Sequence, residues 1–240
     1  MNINLSLKTN MKSLTQHINE KLVLTNNSKI RKQEHDLKPK SRDELKKLLD
    51  ELIDERGNDA DLNDIDTSKI DDMGSLFYGS EFNGDISKWN TSKVWNMTSM
   101  FEMSKFNGDI SGWDVSNVEY MTSMFNSAKD FNQDITEWNT ENVAYMEYMF
   151  SGATSFDQEI GHWDVSSVTT MQGMFKDAKD FNSDISYWDV SNVSDMSHMF
   201  SGATSFDQSL TAWRPRKYGV NTADMFHNCP IDYWSKPQFY

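Results

Sequence analysis

The chain has 240 residues, a net charge of −14 and a hydrophobic fraction of 37%, yet it holds 14 Phe, 8 Trp and 15 Met. Disordered chains are poor in aromatics, so these totals point to an ordered protein with a thin core. The acidic balance excludes nucleic acid as the main partner, because phosphate contacts need clustered Lys and Arg, and it disfavours an anionic membrane surface. A single cysteine, Cys229, excludes an intrachain disulfide.

The charge is uneven. Residues 1–40 carry 8 Lys/Arg against 3 Asp/Glu, a net of +5, which leaves −19 on the rest. This basic leader has no apolar run of signal-peptide length, so export by a signal peptide is not expected. It has one short amphipathic segment over residues 11–22, where Met11, Leu14, Ile18 and Leu22 form an apolar stripe. The leader is expected to be mostly flexible, and the stripe is either part of that flexible arm or a segment that docks on a partner. No stretch of the chain is long and apolar enough for a membrane-spanning helix.

Residues 41–57, SRDELKKLLDELIDERG, predict a capping helix. Ser41 and Glu44 form a capping box, Gly57 is the stop, and Leu45, Leu48, Leu49, Leu52 and Ile53 share one face.

From residue 58 to residue 213 the chain repeats itself. Trp89, Trp113, Trp138, Trp163, Trp188 and Trp213 lie 24 or 25 residues apart, and Phe82, Phe106, Phe131, Phe156, Phe181 and Phe206 keep step with them. Such a period predicts a solenoid whose units bury their apolar columns by stacking. Within one unit Phe-Asn-x-Asp-Ile-Ser-x-Trp predicts a brief parallel strand. Val118, Met121, Met124 and Phe125, at offsets 0, 3, 6 and 7, predict a short α or 3₁₀ helix with Ser116 as its N-cap. The expected fold is an α/β repeat of six or seven coils, closed by an irregular cap over residues 214–240.

The unit FNGDISGWDVSNVEYMTSMF, Phe106 to Phe125, resembles the repeats of the BspA-like leucine-rich-repeat surface proteins over roughly residues 65–213. That resemblance implies a right-handed leucine-rich-repeat-like solenoid used for adhesion or protein binding, and no catalytic residues. The leader MKSLTQHINEKLVLTN resembles those of repeat proteins encoded by bacteriophages of gut bacteria. It implies a virion-associated protein, in the virion or the host cytoplasm, whose partner is another virion protein; a bacterial adhesin-type module binding a host surface protein is the other setting.

Candidate sites divide by what the repeat itself explains. The column Asp85, Asp109, Asp134, Glu159, Asp184 is a hard-oxygen array of the kind that holds Ca²⁺. Asp and Asn in tight coils more often bond their own backbone, so no cofactor is expected and the calcium-stabilised solenoid is the lesser reading. The histidines show no metal-ligand spacing, and no nucleophile or phosphate motif is present. We expect no enzyme. The informative positions are those that vary while the frame holds: Trp95, Tyr120, Tyr145 and Tyr148 are aromatics on a polar frame, either interface anchors or edge packing against loops.

Overall fold

The protein is described here by a computed structural model covering residues 37–216 and 219–238. The stripe Met11, Leu14, Ile18, Leu22 lies outside the described residues.

The helix α1 (Arg42–Arg56) forms where the sequence places it. Its N-cap Ser41 accepts from the Glu44 amide, and the Gly57 amide closes the other end on the Ile53 carbonyl at φ +92°. Glu44 does not reach back to Ser41; its carboxylate accepts the Lys40 amide at 2.8 Å. Leu45, Leu48, Leu49 and Leu52 are buried, and Ile53 is half-buried. Two arginines fasten the helix to the start of the repeat. Arg56 makes a bidentate pair with Asp64, both bonds 2.9 Å, and Arg42 Nε donates to the Gly74 carbonyl at 2.9 Å.

Beyond α1, residues one period apart lie over one another. All six repeat indoles are buried and filed in a row, with Trp89–Trp113 and Trp138–Trp163 stacked at 6.3 Å between centroids. The column Phe77, Phe101, Phe125, Phe150, Phe175, Phe200, Phe226 stacks at 5.4–5.8 Å. Each Trp Nε1 also donates to the carbonyl of an apolar residue in the preceding coil. Trp113 reaches Ile86, Trp138 reaches Ile110 and Trp163 reaches Ile135, at 3.1–3.2 Å. The indole therefore fills the core and ties two coils together.

The elements inside a coil differ from the expectation. Among the described residues the only helices are α1 and a 3₁₀ turn at Tyr233–Ser235, so no short helix recurs in the repeat. A coil is instead a succession of β-turns, closed for example by Trp113 N–H to Ile110, Val118 to Val115, Met124 to Met121, Asn126 to Ser123 and Ala128 to Phe125. Two residues per coil are left-handed: Ser123 and Ser127 at φ +57° and +58°, Tyr148 and Gly152 at +55° and +68° in the next. A left-handed residue every four positions interrupts an α-helix. Ser116 is not an N-cap either. Its amide donates to Asp114 Oδ1 at 3.1 Å, an Asx turn.

The parallel pairing is also displaced from the Phe-to-Trp segment. There a single bridge occurs, Asp61 with Asp85, whereas the continuous column is Asp72, Asn96, Tyr120, Tyr145, Thr170, Asp195, Asn221. The column extends past the expected boundary at residue 213: Asn221 to His227 build one more coil on the pattern of the others.

In the turn segment after this column the bonds between coils all run one way. Met121, Ser123, Phe125 and Ser127 donate their amides to Tyr145, Glu147, Met149 and Ser151 of the following coil, at 2.6–3.0 Å. The carbonyls of Met121, Ser123 and Phe125 are consumed inside the coil by the turns. Amides thus point toward the C-terminal end of the stack and carbonyls toward α1. The contact of Arg42 with Gly74 O sets a cation on the carbonyl end.

Candidate interaction face

The bridge column fixes both the spacing and the direction of the side chains that vary along it. Tyr120 N–H and Glu119 N–H both reach the Trp95 carbonyl, and Tyr145 N–H and Ala144 N–H both reach Glu119 O. On this frame Tyr120 and Tyr145 stack at 4.7 Å with planes 12° apart. Trp95 meets Tyr120 edge-on at 5.6 Å and 81°. Trp95 is 44% exposed, and both tyrosines are half-buried. The Glu119 carboxylate, bonded to the Tyr120 hydroxyl, pushes that phenol above its usual range, so it stays neutral.

The same column shows what the aromatics replace. Asp72, Asn96, Asp195 and Asn221 each accept the amide two residues on with Oδ1, at 2.8–3.2 Å. Tyrosine has no such acceptor within reach. The frame gives up a turn bond at Tyr120 and again at Tyr145, a local rule broken without a local gain.

Tyr148 joins the face differently from the other three. It occupies the left-handed column at φ +55°, and its ring lies over Gly173, where a Cβ would come within 2.5 Å of the ring. The structure brings Trp95, Tyr120 and Tyr145 into contact and gives Tyr148 a packing partner of its own.

Among the described residues Tyr78, Met103, Tyr187, Tyr233 and Trp234 are exposed and were not among the expected anchors. Tyr78 and Met103, 54% and 58% exposed, meet at 3.5 Å from Oη to Sδ. They stand in columns that vary as Tyr78, Glu102, Asn126, Ser151 and as Gly79, Met103, Ser127, Gly152. A scan for variation beyond the Val-to-Met interval would have found them. Tyr187, on the far side of a Trp, is 86% exposed.

The polar columns are absorbed by the frame. Asn83, Asn107, Asn132, Asp157 and Asn182 each use Oδ1 to accept the amide of the equivalent residue in the next coil, at 2.7–3.0 Å. In the acidic column Asp85, Asp109, Asp134 and Asp184 accept amides two residues on, at 2.9–3.0 Å. Among the described residues no three His, Cys, Asp or Glu side chains gather as a metal site would require. Burial raises the Cys229 thiol, whose Sγ sits 3.4 Å from the Phe206 carbonyl.

These Asx turns carry a pH signature. In Asp134 and Asp164 the hydroxyl two residues on is the main cause, and the amide the second, of a carboxyl held below its usual range. In Asp184 the amide comes first. A lowered folded value means stability that is present above the unfolded value of about 3.9 and lost as pH falls through the folded ones. The melting temperature should therefore hold between pH 7 and 5 and drop progressively below about pH 4. A flat profile down to pH 2.5 in calorimetry would show that the turn bonds are not selective for the ionised form.

The sequence profile of the family described as "Mycoplasma protein of unknown function, DUF285" matches residues 45–155 and again residues 132–233. No curated protein and no solved structure matches the chain.

Proposed function

This chain belongs to the DUF285 family of BspA-like repeats, and we propose that it acts as a non-enzymatic protein-interaction scaffold. The repeat is read as a right-handed leucine-rich-repeat-like solenoid built from turns, whose frame is constant and whose partner specificity comes from the residues that vary between coils. One observation carries this reading: Tyr120 and Tyr145 stack on a column that closes Asx turns at Asp72, Asn96, Asp195 and Asn221, and Trp95, one position before Asn96, meets Tyr120 edge-on. Aromatics held in advance by backbone bonds on both sides lose little freedom on binding.

In the same reading the basic leader is the second docking element, with Met11, Leu14, Ile18 and Leu22 against a partner protein. The phage-particle setting rests on the leader's likeness alone.

The test pairs Tyr120→Ser with Tyr145→Ser in the full chain and uses Tyr187→Ser as a control of equal chemistry. Proteins retained by the wild type should bind the double variant about 30-fold or more weakly, the scale of a hot spot near 2 kcal/mol. The control should bind as the wild type does. Unchanged retention by a folded double variant would remove the stack from the proposal; repeating the capture with a chain starting at Ser41 separates the leader's share.

A further inference from the structure

The one-way bonding between coils leaves the last coil with a defined open edge. In the coil before it, the amides of Met196, His198, Phe200 and Gly202 donate to Asn221, Ala223, Met225 and His227, each at 2.8 Å. The equivalents one coil on are Thr222, Asp224, Phe226 and Asn228. Among the described residues none of these four amides has an acceptor, while the turn bonds of Met225, His227 and Cys229 are all in place. The Val220 carbonyl, equivalent to the Ser194 carbonyl that takes the Asn221 amide, precedes the row. The edge therefore reads as one acceptor followed by four donors at every second residue.

The two ends of the stack are treated differently. At the first coil α1 spreads four buried leucines and Arg42 takes a carbonyl. At the last coil the 3₁₀ turn Tyr233–Ser235 covers another part, through Leu210 N–H to Ser235 O at 2.7 Å. It leaves a cleft of about 270 Å³ beside the donor row, lined by Thr222, Met225, Phe226, Tyr233, Lys236 and Pro237. Phe226 ends the phenylalanine column half-buried, with Lys236 Nζ 5.2 Å from its ring centroid.

We propose that this C-terminal edge is a docking site for an acidic peptide segment of another protein, which lies along residues 220–228 in the turn conformation of one further coil. Each part of the edge specifies part of the occupant. Four amides at alternate residues, two of them (Asp224 and Asn228) left-handed at φ +51° and +54°, call for peptide carbonyls at the same interval on a segment that follows the same turns. The cleft beside Phe226 takes an apolar side chain from that segment. Residues 214–240 carry Arg214, Arg216, Lys217 and Lys236 against Asp224 and Asp232, so this positive balance and the outward amides select negative charge, on a body whose remaining charge is strongly negative and repels acidic chains elsewhere.

A second copy of this chain does not meet the same requirements. Stacked tail to tail, two such edges set donors against donors. Stacked head to tail, the carbonyl row of the first coil meets Arg42, whose guanidinium already holds Gly74 O.

Amide hydrogen exchange on the isotope-labelled full chain tests the edge without knowledge of the partner. Thr222, Asp224, Phe226 and Asn228 should exchange at least 100-fold faster than Met196, His198, Phe200 and Gly202. A synthetic peptide copying residues 192–204, NVSDMSHMFSGAT, provides a carbonyl-bearing acidic probe. Added at millimolar concentration it should slow all four amides, and a version with Asp195 replaced by Lys should bind several-fold more weakly. Thr222→Pro, which deletes the first donor where the backbone is not left-handed, and Lys236→Glu should each weaken the peptide about tenfold. Four amides protected in the free monomer would overturn the proposal, because the chain then covers its own edge. Protection that appears only with dimers in sedimentation, or peptide binding that shifts Tyr120 and Tyr145 instead, would overturn it equally.

Discussion

Trp138→Phe destabilises the folded chain by about 2–3 kcal/mol, and Trp138→Ala by about 3–5 kcal/mol, in urea unfolding followed by circular dichroism. Two losses combine. The indole donates to Ile110 O at 3.2 Å in a buried setting, and phenylalanine keeps a ring there but removes that bond, leaving the carbonyl with the Trp113 amide alone at 3.1 Å. Losing one of the two bonds to a buried carbonyl costs about 0.5–1.5 kcal/mol. The smaller ring also opens a gap beside Trp163, now stacked at 6.3 Å, and beside Phe125 at 6.4 Å. Tyr187→Ala, at an 86% exposed position, should stay within about 0.5 kcal/mol. A loss below 1 kcal/mol at Trp138→Phe would mean that the indole bond does not tie the coils. Because each coil touches only its neighbours, the damage should register in the amides that cross from the Trp113 coil and into the Trp163 coil before those of α1.

The columns were legible in the sequence because stacking requires them. A residue that meets its own equivalent above and below must suit a common site, so indoles, phenylalanines and methionines recur at one interval. The capping helix was legible for a local reason: Ser41, the leucine stripe and Gly57 each act within a few residues. Helix and turn were not distinguishable inside a coil. Three overlapping i-to-i+3 turns send Val118, Met121, Met124 and Phe125 inward at the offsets a helical face would use. What decides between them is where the amides go. Met121 and Ser123 bond to the next coil, and no periodicity within one unit reports a bond between units.

The candidate face was half legible for the same reason. Tyr120 and Tyr145 share a column, so their stacking follows from the period. Trp95 sits one position earlier in its coil and meets Tyr120 only through the side-chain geometry. Tyr78 and Met103 lie just past the closing Phe77 and Phe101 of their coils, outside the Val-to-Met interval where variation stood out. The end of the repeat was set too early, at residue 213, because the Trp column stops at Trp213, while the bridge and phenylalanine columns go on to Asn221 and Phe226.

Gly173→Ala should cost about 2–4 kcal/mol, and the partition of that cost identifies what holds Tyr148 in the face. A left-handed alanine accounts for about 1–2 kcal/mol. The column itself sets the scale of that part, since Ser123, Tyr148 and His198 adopt the same conformation at φ +57°, +55° and +58° without glycine. Position 173 differs in its neighbour: the added Cβ would lie 2.5 and 2.6 Å from Cε1 and Cδ1 of the Tyr148 ring. The ring must move or the coils must part. Tyr148→Ser removes the obstacle, so the Gly173→Ala change in that background should fall to the backbone part alone. The coupling in the double-mutant cycle is then about 1–2 kcal/mol. Additive changes would show that the tyrosine swings clear at no cost, and Tyr148 would then be a side chain the frame does not position. A measured coupling makes glycine at 173 the seat of one anchor, and binding through Tyr148 should weaken in Gly173→Ala even where the protein remains folded.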